Sequence, residues 1–174
     1  MTQVLKIGAL SIPTVAALDL SQEYPHLDPE SIFRTVDGTG IKQMTWSKQR
    51  IVTSGSGWLP AGLDTLDTSA QMVLSCIAPR AVPANFSTRQ ATLPVKRRSD
   101  SGHTPWGVAL MADGSPVYTA ASMAGNVATL TAVTGAVAYQ ALYLPEYTVW
   151  AMRPTESGNR GDATYQWQLT CEEV

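Results

Sequence analysis

The chain has 174 residues, of which 44% are hydrophobic and 15% are charged, and its formal net charge is −2. This apolar content excludes an intrinsically disordered chain, and a pI of 5.6 excludes a broad basic field for nucleic acid. The length fits one domain of ordinary size, and we predict a single β-rich domain over residues 1–174.

The weak charge of the chain favours association, so we expect partners to cover much of its surface. Cys76 and Cys171 are too few for a disulfide scaffold and are far apart in sequence, which predicts reduced, buried thiols. The uncharged run from Ile7 to Leu18 resembles a signal peptide only poorly, because Pro13 interrupts it. We therefore expect neither a secretion signal nor a membrane segment.

Strands are predicted at residues 4–12 and 32–36 in the N-terminal part. The turn sequence from Asp37 to Gly40 then leads into a long strand at 41–53, forming a projecting hairpin. Residues 54–67, rich in Gly, Pro and Asp, and residues 83–105, rich in Ser, Thr and Pro, are predicted to be long loops. Between the two loops, alternation at residues 72–78 places Leu74 and Cys76 on a buried face.

The C-terminal half is predicted to be an antiparallel meander, with strands at 106–112, 117–123, 127–133, 136–144 and 147–152. Turn sequences at Asp113-Gly114, Gly125-Asn126 and Thr134-Gly135 separate these strands. A further strand at residues 165–172 alternates clearly between apolar and polar side chains. The expected core comprises Leu74, Cys76, Leu130, Trp150, Trp167, Leu169 and Cys171.

Helices are expected to be scarce, because no stretch of 12 or more residues has a 3.6-residue apolar period with caps. The predicted fold class is therefore all-β, an antiparallel β-barrel or β-sandwich with a long projecting hairpin.

The strand at 41–53 is unusual because both of its faces mix polar and apolar side chains. One face carries Lys42, Met44, Trp46, Lys48 and Arg50. We predict that this strand contacts a neighbouring subunit, with Trp58 and Leu63 of the following loop joining the interface. The alternatives are an edge strand that Lys and Arg guard against aggregation and a basic, aromatic platform for nucleic acid.

The cluster of Lys96, Arg97 and Arg98 is the strongest concentration of positive charge. A run this short is typical of a solvated loop tip, and a salt bridge to an acidic patch on a partner is the functional alternative, with a phosphate site as a third reading. We include the three residues among the candidate partner contacts.

Catalytic chemistry has little support in the sequence. The best candidate triad, Asp100, Ser101 and His103, lies in one loop, whereas a working triad is held by separate rigid elements. The histidines and cysteines lack metal-ligand spacing, and the Ser54-Gly55-Ser56-Gly57 run lacks the Gly-Lys-Ser/Thr ending of a phosphate-binding loop. We predict no enzyme, no catalytic residues, no metal and no cofactor.

Several short motifs resemble those of small tail and baseplate structural proteins of long-tailed, contractile bacteriophages. They cover residues 32–78 and 105–174. The first group is Trp46 and Lys48 before Ser54-Gly55-Ser56-Gly57, then Pro60-Ala61-Gly62-Leu63, Leu66-Asp67 and a strand ending at Cys76; the second is Pro145, Tyr147, Met152, Pro154, Trp167-Gln168-Leu169 and Glu172-Glu173.

The resemblance implies a ring-forming β-barrel or β-sandwich, commonly in six copies, at the junction of tail tube and baseplate. It implies tail tube, sheath or baseplate proteins as partners, assembly in the host bacterial cytoplasm and location in the virion, with no membrane and no direct nucleic-acid contact. A carbohydrate-binding β-sandwich with Trp46 and Trp58 as stacking platforms is the first alternative function. A small β-fold hydrolase is the second.

Overall fold

A computed structural model describes residues 4–174 and bears out the all-β prediction, with 53% of residues in strands and 4% in helical turns. The two helical turns, Thr14–Ala16 and Leu63–Thr65, are single 3₁₀ turns. The strand pairs run antiparallel, and within residues 4–174 the sheets form no closed barrel, so the fold is sandwich-like. The strands in chain order are β1 Lys6–Ile7, β2 Leu10–Ser11, β3 Asp19–Glu23, β4 Glu30–Arg34, β5 Gly40–Met44, β6 Arg50–Gly57, β7 Met72–Ser75, β8 Arg80–Ala84, β9 Gln90–Thr92, β10 Trp106–Met111, β11 Pro116–Thr119, β12 Ala121–Ala124, β13 Val127–Leu130, β14 Ala136–Tyr143, β15 Glu146–Ala151, β16 Thr155–Asn159 and β17 Thr164–Glu173.

The chain divides into two compact units, and each unit combines segments that are distant in sequence. Among described residues, the first unit contains 4–5 and 75–147, and the second contains 6–74 and 148–174. The unit boundaries fall between residues 5 and 6, before the last residue of β7 and within β15. The prediction of a single domain concerns whether the chain folds as one cooperative body, and it stays a prediction.

The first unit contains two sheets, with strand orders β11-β10-β14-β8 and β12-β13-β9. Small and aromatic side chains fill its core: Ala91, Leu93, Ala109, Ala128, Leu130, Tyr139, Ala141 and Tyr143. The buried positions of β14 alternate along the strand, as expected for a strand with one face on the core.

The second unit contains most of an eight-stranded sheet of order β2-β1-β7-β15-β17-β6-β3, in which β16 also pairs with β17. The strands β6 and β17 pair over eight residues and bury alternate side chains. Trp167, Leu169 and Cys171 of β17 and Leu74 of β7 are buried as predicted, and so are Cys76 and Leu130 of the first unit. The two cysteines are free thiols.

Trp150 was wrongly predicted to be in the core, because 44% of its surface is exposed. The strand β15 buries the residues on either side, Val149 and Ala151, and therefore turns Trp150 outward.

The predicted long strand at 41–53 is wrong, because the structure has two strands here, β5 and β6. Residues 48–50 leave the hairpin and pair with the segment at 25–28: the Leu27 amide donates to the Lys48 carbonyl and the Arg50 amide to the Pro25 carbonyl, both at 2.9 Å. The predicted loop at 54–67 is also wrong in its first part, because residues 54–57 complete β6.

The meander prediction for the C-terminal half is only partly correct. Hairpins form at Asp113-Gly114 and at Gly125-Asn126. Thr134-Gly135 makes a turn without a hairpin, because β13 and β14 belong to different sheets. The predicted loop at 83–105 contains all of β9 and the end of β8, which pair with β13 and β14.

Candidate functional site on the hairpin arm

The strands β4 and β5 form a two-stranded sheet of their own, which we call the arm (residues 30–46, including Trp46 after β5). Its turn is the predicted one, since Gly38 adopts φ 84°, a value that glycine reaches without strain. The turn is held locally: the Thr35 amide donates to the Thr39 carbonyl at 3.0 Å, and the Thr39 hydroxyl donates to Asp37 Oδ2 at 3.1 Å. Hydrogen bonds from the Thr35 hydroxyl and then from Thr39 lower the pKa of Asp37.

The base of the arm is anchored to the second unit by polar contacts. The Lys48 amide donates to Asp28 Oδ1 at 3.1 Å, and Gln49 Nε2 lies 2.9 Å from His26 Nδ1. The Gln49 amide donates to the Glu173 carboxylate at 2.9 Å. These contacts fix where the arm leaves the sheet but do not cover its strands.

All ten residues of β4 and β5 are exposed. The arm nevertheless carries six large apolar side chains, with exposures between 47% and 110%: Ile32, Phe33, Val36, Ile41, Met44 and Trp46. Phe33 and Ile41 are direct cross-strand partners, so they form an apolar pair on one face. The opposite face places Ile32 and Met44 beside the Lys42–Glu30 ion pair of 2.7 Å.

An isolated two-stranded hairpin is marginally stable in water, and an exposed strand edge offers unpaired backbone groups to another chain. Both outer edges of the arm are unpaired among the described strands. Fully burying one large apolar side chain contributes about 1.5–3 kcal/mol, so covering the exposed parts of these six contributes roughly 6–11 kcal/mol. Since association costs about 4–15 kcal/mol, side-chain burial alone is barely sufficient, and backbone pairing at an edge of the arm would have to add to it.

The sequence-predicted interface residues are only partly brought together. Lys42 and Met44 lie on one face of the arm, and Trp46 follows β5. Lys48 lies at the base, where its ammonium group donates to the Val174 carbonyl. Arg50 is not on the arm but in β6, where its guanidinium contacts Glu172 Oε1 at 2.7 Å.

The prediction of Leu63 as an interface residue is wrong, because Leu63 is buried in a 3₁₀ turn of its own unit. Trp58 is 66% exposed just beyond β6 and is available for contact. Sequence reasoning omitted Ile32, Phe33 and Val36; the apolar pattern on the first strand of the predicted hairpin was the signal that could have identified them.

The prediction that Lys96, Arg97 and Arg98 together form a solvated loop tip is wrong. Arg98 is fully buried, and its guanidinium donates to both carboxylate oxygens of Asp100, at 2.9 and 2.8 Å, and to the carbonyls of Val4 and Cys76. Arg97 is half-buried and donates to Gly125 and Asn126. Lys96 is the exposed member. A buried guanidinium that uses its donors inside the unit cannot contact a partner.

The candidate triad does not assemble. His103 Nδ1 lies 2.8 Å from Asp100 Oδ2 but makes no hydrogen bond, and Ser101 makes no side-chain hydrogen bond to His103. Asp100 instead accepts hydrogen bonds from Arg98, and these hydrogen bonds lower the pKa of the Asp100 carboxyl to about 2. Within residues 4–174, no three His, Cys, Asp or Glu side chains are grouped so that they could hold a metal ion. No helix in this part of the chain is long and apolar enough to span a membrane.

Comparison with known proteins adds no relative: no family model, no curated protein and no solved structure matches this chain.

Proposed function

We propose that the protein is a structural subunit that joins a neighbouring copy of itself through the arm, as a ring-forming component of a phage tail. The observation that carries the proposal is the arm, a two-stranded sheet with six exposed large apolar side chains and two unpaired edges. A surface of this kind is costly to leave in water, and a defined partner covers it in a working assembly.

A second copy is the occupant that the composition favours. The chain carries a net charge of only −2, so copies repel one another weakly. The arm itself carries both charge signs, with Glu30 and Lys42 already paired to each other. An arm that docks on a different surface of the next copy makes a head-to-tail contact, and such contacts form a ring when the rotation between copies closes.

The phage-tail part of the proposal rests on the motif resemblance over residues 32–78 and 105–174. In that setting the protein acts by occupancy at the junction of tail tube and baseplate, in six copies, and uses no catalytic group. Other tail tube, sheath or baseplate proteins would cover the surfaces that the ring contact leaves open.

Trp46→Ala tests the proposal, with Trp150→Ala as the matched control. Both tryptophans are similarly exposed, at 47% and 44%, but only Trp46 belongs to the arm. Sedimentation velocity over increasing concentration should show oligomers for the wild type and for Trp150→Ala. Trp46→Ala should weaken association by at least about tenfold, since large aromatic residues at interface centres typically contribute 2 kcal/mol or more.

All three proteins should keep the same circular dichroism spectrum, because both side chains are exposed. A wild type that stays monomeric at every concentration, or a Trp46→Ala protein that associates like the wild type, contradicts the proposal. The arm would then be only a guarded edge.

A further inference from the structure

A polar groove of about 420 Å³ lies on the second unit, away from the residues that form the arm. Its floor is made by the outward-facing residues of four adjacent strands, in the order β16-β17-β6-β3. The strand register aligns these residues into two rows. The first row is Thr155, Gln168, Ser54 and Ser21. The second row is Ser157, Gln166, Ser56 and Asp19.

The side chains of the two rows are not used by the protein itself. Among residues 4–174, none of the eight makes a side-chain hydrogen bond or an ion pair with another protein group. Adjacent strands lie about 4.8 Å apart, so the floor presents a regular lattice of hydroxyl and amide groups. Such groups both donate and accept hydrogen bonds, and here they are open to a ligand.

The floor is held rigidly from beneath. The indole of Trp167 packs under β6, and its Nε1 donates to the Ala16 carbonyl at 2.7 Å. The close approach requires glycine at position 55, because a Cβ there would lie 2.5 Å from the indole ring. A lattice fixed by a buried aromatic ring is organised before a ligand arrives, which lowers the entropy cost of binding.

The charge of the groove limits the class of ligand. Its lining includes the acidic residues Asp19 and Glu156 and no Lys, Arg or His. Glu156 Oε1 accepts a hydrogen bond from the Leu63 amide at 3.1 Å, which holds that carboxylate in place. Phosphate, sulfate and acidic sugars would be repelled, whereas neutral hydroxyl groups can donate to carboxylates and exchange hydrogen bonds with amides.

A smaller pocket of about 200 Å³ shares the Glu156, Ser157, Gln166 and Trp167 part of the wall. It adds an apolar surface from Pro60, Ala61 and Tyr165. Strand alternation places Tyr165 on the Trp167 side of β17, opposite the polar rows, so this pocket is separate from the floor.

We propose that this groove binds a neutral oligosaccharide, with the Ser, Thr and Gln lattice contacting the sugar hydroxyls. The proposal goes beyond the structural role proposed above and does not depend on it. The earlier alternative, in which Trp46 and Trp58 stack on sugar, is different, because neither tryptophan lines this groove.

The test is a glycan array probed with the full chain. The array carries neutral glucan, mannan, galactan and N-acetylglucosamine oligomers together with sialylated and sulfated oligosaccharides. We expect binding to at least one neutral series and none to the acidic ones. The double variant Gln166→Ala with Gln168→Ala should bind that series about tenfold or more weakly, because two hydrogen-bonding amides are lost.

The control removes two exposed glutamines elsewhere, Gln71→Ala with Gln90→Ala, and should bind like the wild type. Trp46→Ala should also bind like the wild type, which separates this proposal from the role of the arm. Absence of binding to every neutral series at millimolar concentration overturns the proposal. So does a preference for acidic glycans, or unchanged binding by the Gln166 and Gln168 double variant.

Discussion

Arg98 illustrates how one residue of a charged run can be structural. Its amide donates to the Leu144 carbonyl at 2.8 Å, and its guanidinium donates to the carbonyls of Val4 and Cys76 as well as to Asp100. Local charge alone does not distinguish between Lys96, Arg97 and Arg98. The difference between them comes from contacts with residues 22 and 94 positions away, which no local pattern encodes.

Arg98→Ala should therefore lower the free energy of unfolding by about 3 kcal/mol or more. The change removes the charged donor that contacts the Val4 and Cys76 carbonyls and Asp100, and hydrogen bonds to charged groups contribute about 1.5–3 kcal/mol each. Arg97→Ala is the matched control and should cost less than about 1 kcal/mol, because its hydrogen bonds are exposed to water. Urea denaturation measures both; equal losses in the two variants would contradict the structural role of Arg98.

The lowered pKa of the Asp100 carboxyl predicts that the stability of the protein depends on pH in the acid range. Hydrogen bonds from Arg98 lower its pKa from 3.8 to about 2. A lowered folded-state pKa gives stability that is fully present above the unfolded pKa and is lost as the pH falls through the folded pKa. The wild type should thus be more stable than Asp100→Asn at neutral pH, and this difference should shrink between about pH 4 and pH 2. A difference that stays constant in urea titrations across that range would contradict the assignment.

The tryptophans show when the alternation of apolar and polar residues predicts burial correctly and when it does not. Trp167 was predicted correctly because every second residue of β17 is apolar around it. In β15, Trp150 is flanked by the apolar residues Val149 and Ala151, so a place in a strand does not decide which of them faces the core. In the structure the core side of β15 carries Val149 and Ala151, and Trp150 lies on the exposed side.

At the scale of elements, the hairpin turn could be predicted from sequence, but the end of its second strand could not. The turn from Asp37 to Gly40 has local chemistry that fixes it. The division of the predicted strand into β5 and β6 depends on pairing of residues 48–50 with the segment at 25–28, which is non-local. The arm was therefore expected in the right region, with its contact residues shifted too far towards the C-terminus.

The same limit explains the sheet order in the first unit. Turn sequences separate consecutive strands, but they do not show whether those strands pair. The strand β10 pairs with β14 as well as with β11, and β13 pairs with β9. Such pairings between distant segments are decided by which apolar faces fit together, here around Leu130 and Tyr139.

The packing of β6 on the indole of Trp167 can be tested by Gly55→Ala. An added Cβ would lie 2.5 Å from the ring, so the variant should lose about 1–3 kcal/mol through overpacking. Ser54→Ala, one residue away on the outward face, should change stability by less than about 0.5 kcal/mol. Thermal and urea unfolding of both variants measure the effect, and a Gly55→Ala protein as stable as the wild type would show that the indole has room to move.

On the scale of the whole molecule, the low net charge and the exposed arm both support the proposal that copies of the chain associate. A chain with a net charge of −2 and an exposed apolar hairpin is poorly suited to remain a monomer. Joining copies would also place several polar grooves on one particle, and linked weak sites bind with higher avidity than single ones. The composition and the hairpin turn led to the expectation of an associating chain, which stays a prediction, whereas the groove could be recognised only from the strand register.

The most direct test of the central claim, that the arm contacts a second copy, uses the two phenylalanines of the chain. Phe33 lies on the arm and Phe86 lies in the first unit, with exposures of 56% and 58%. Each is replaced in turn by the photoreactive residue p-benzoylphenylalanine, and the purified proteins are irradiated. We predict covalent dimers and higher oligomers from position 33 and monomers from position 86. Monomers from position 33 at concentrations where the wild type sediments as an oligomer, or equal cross-linking from both positions, would contradict the account.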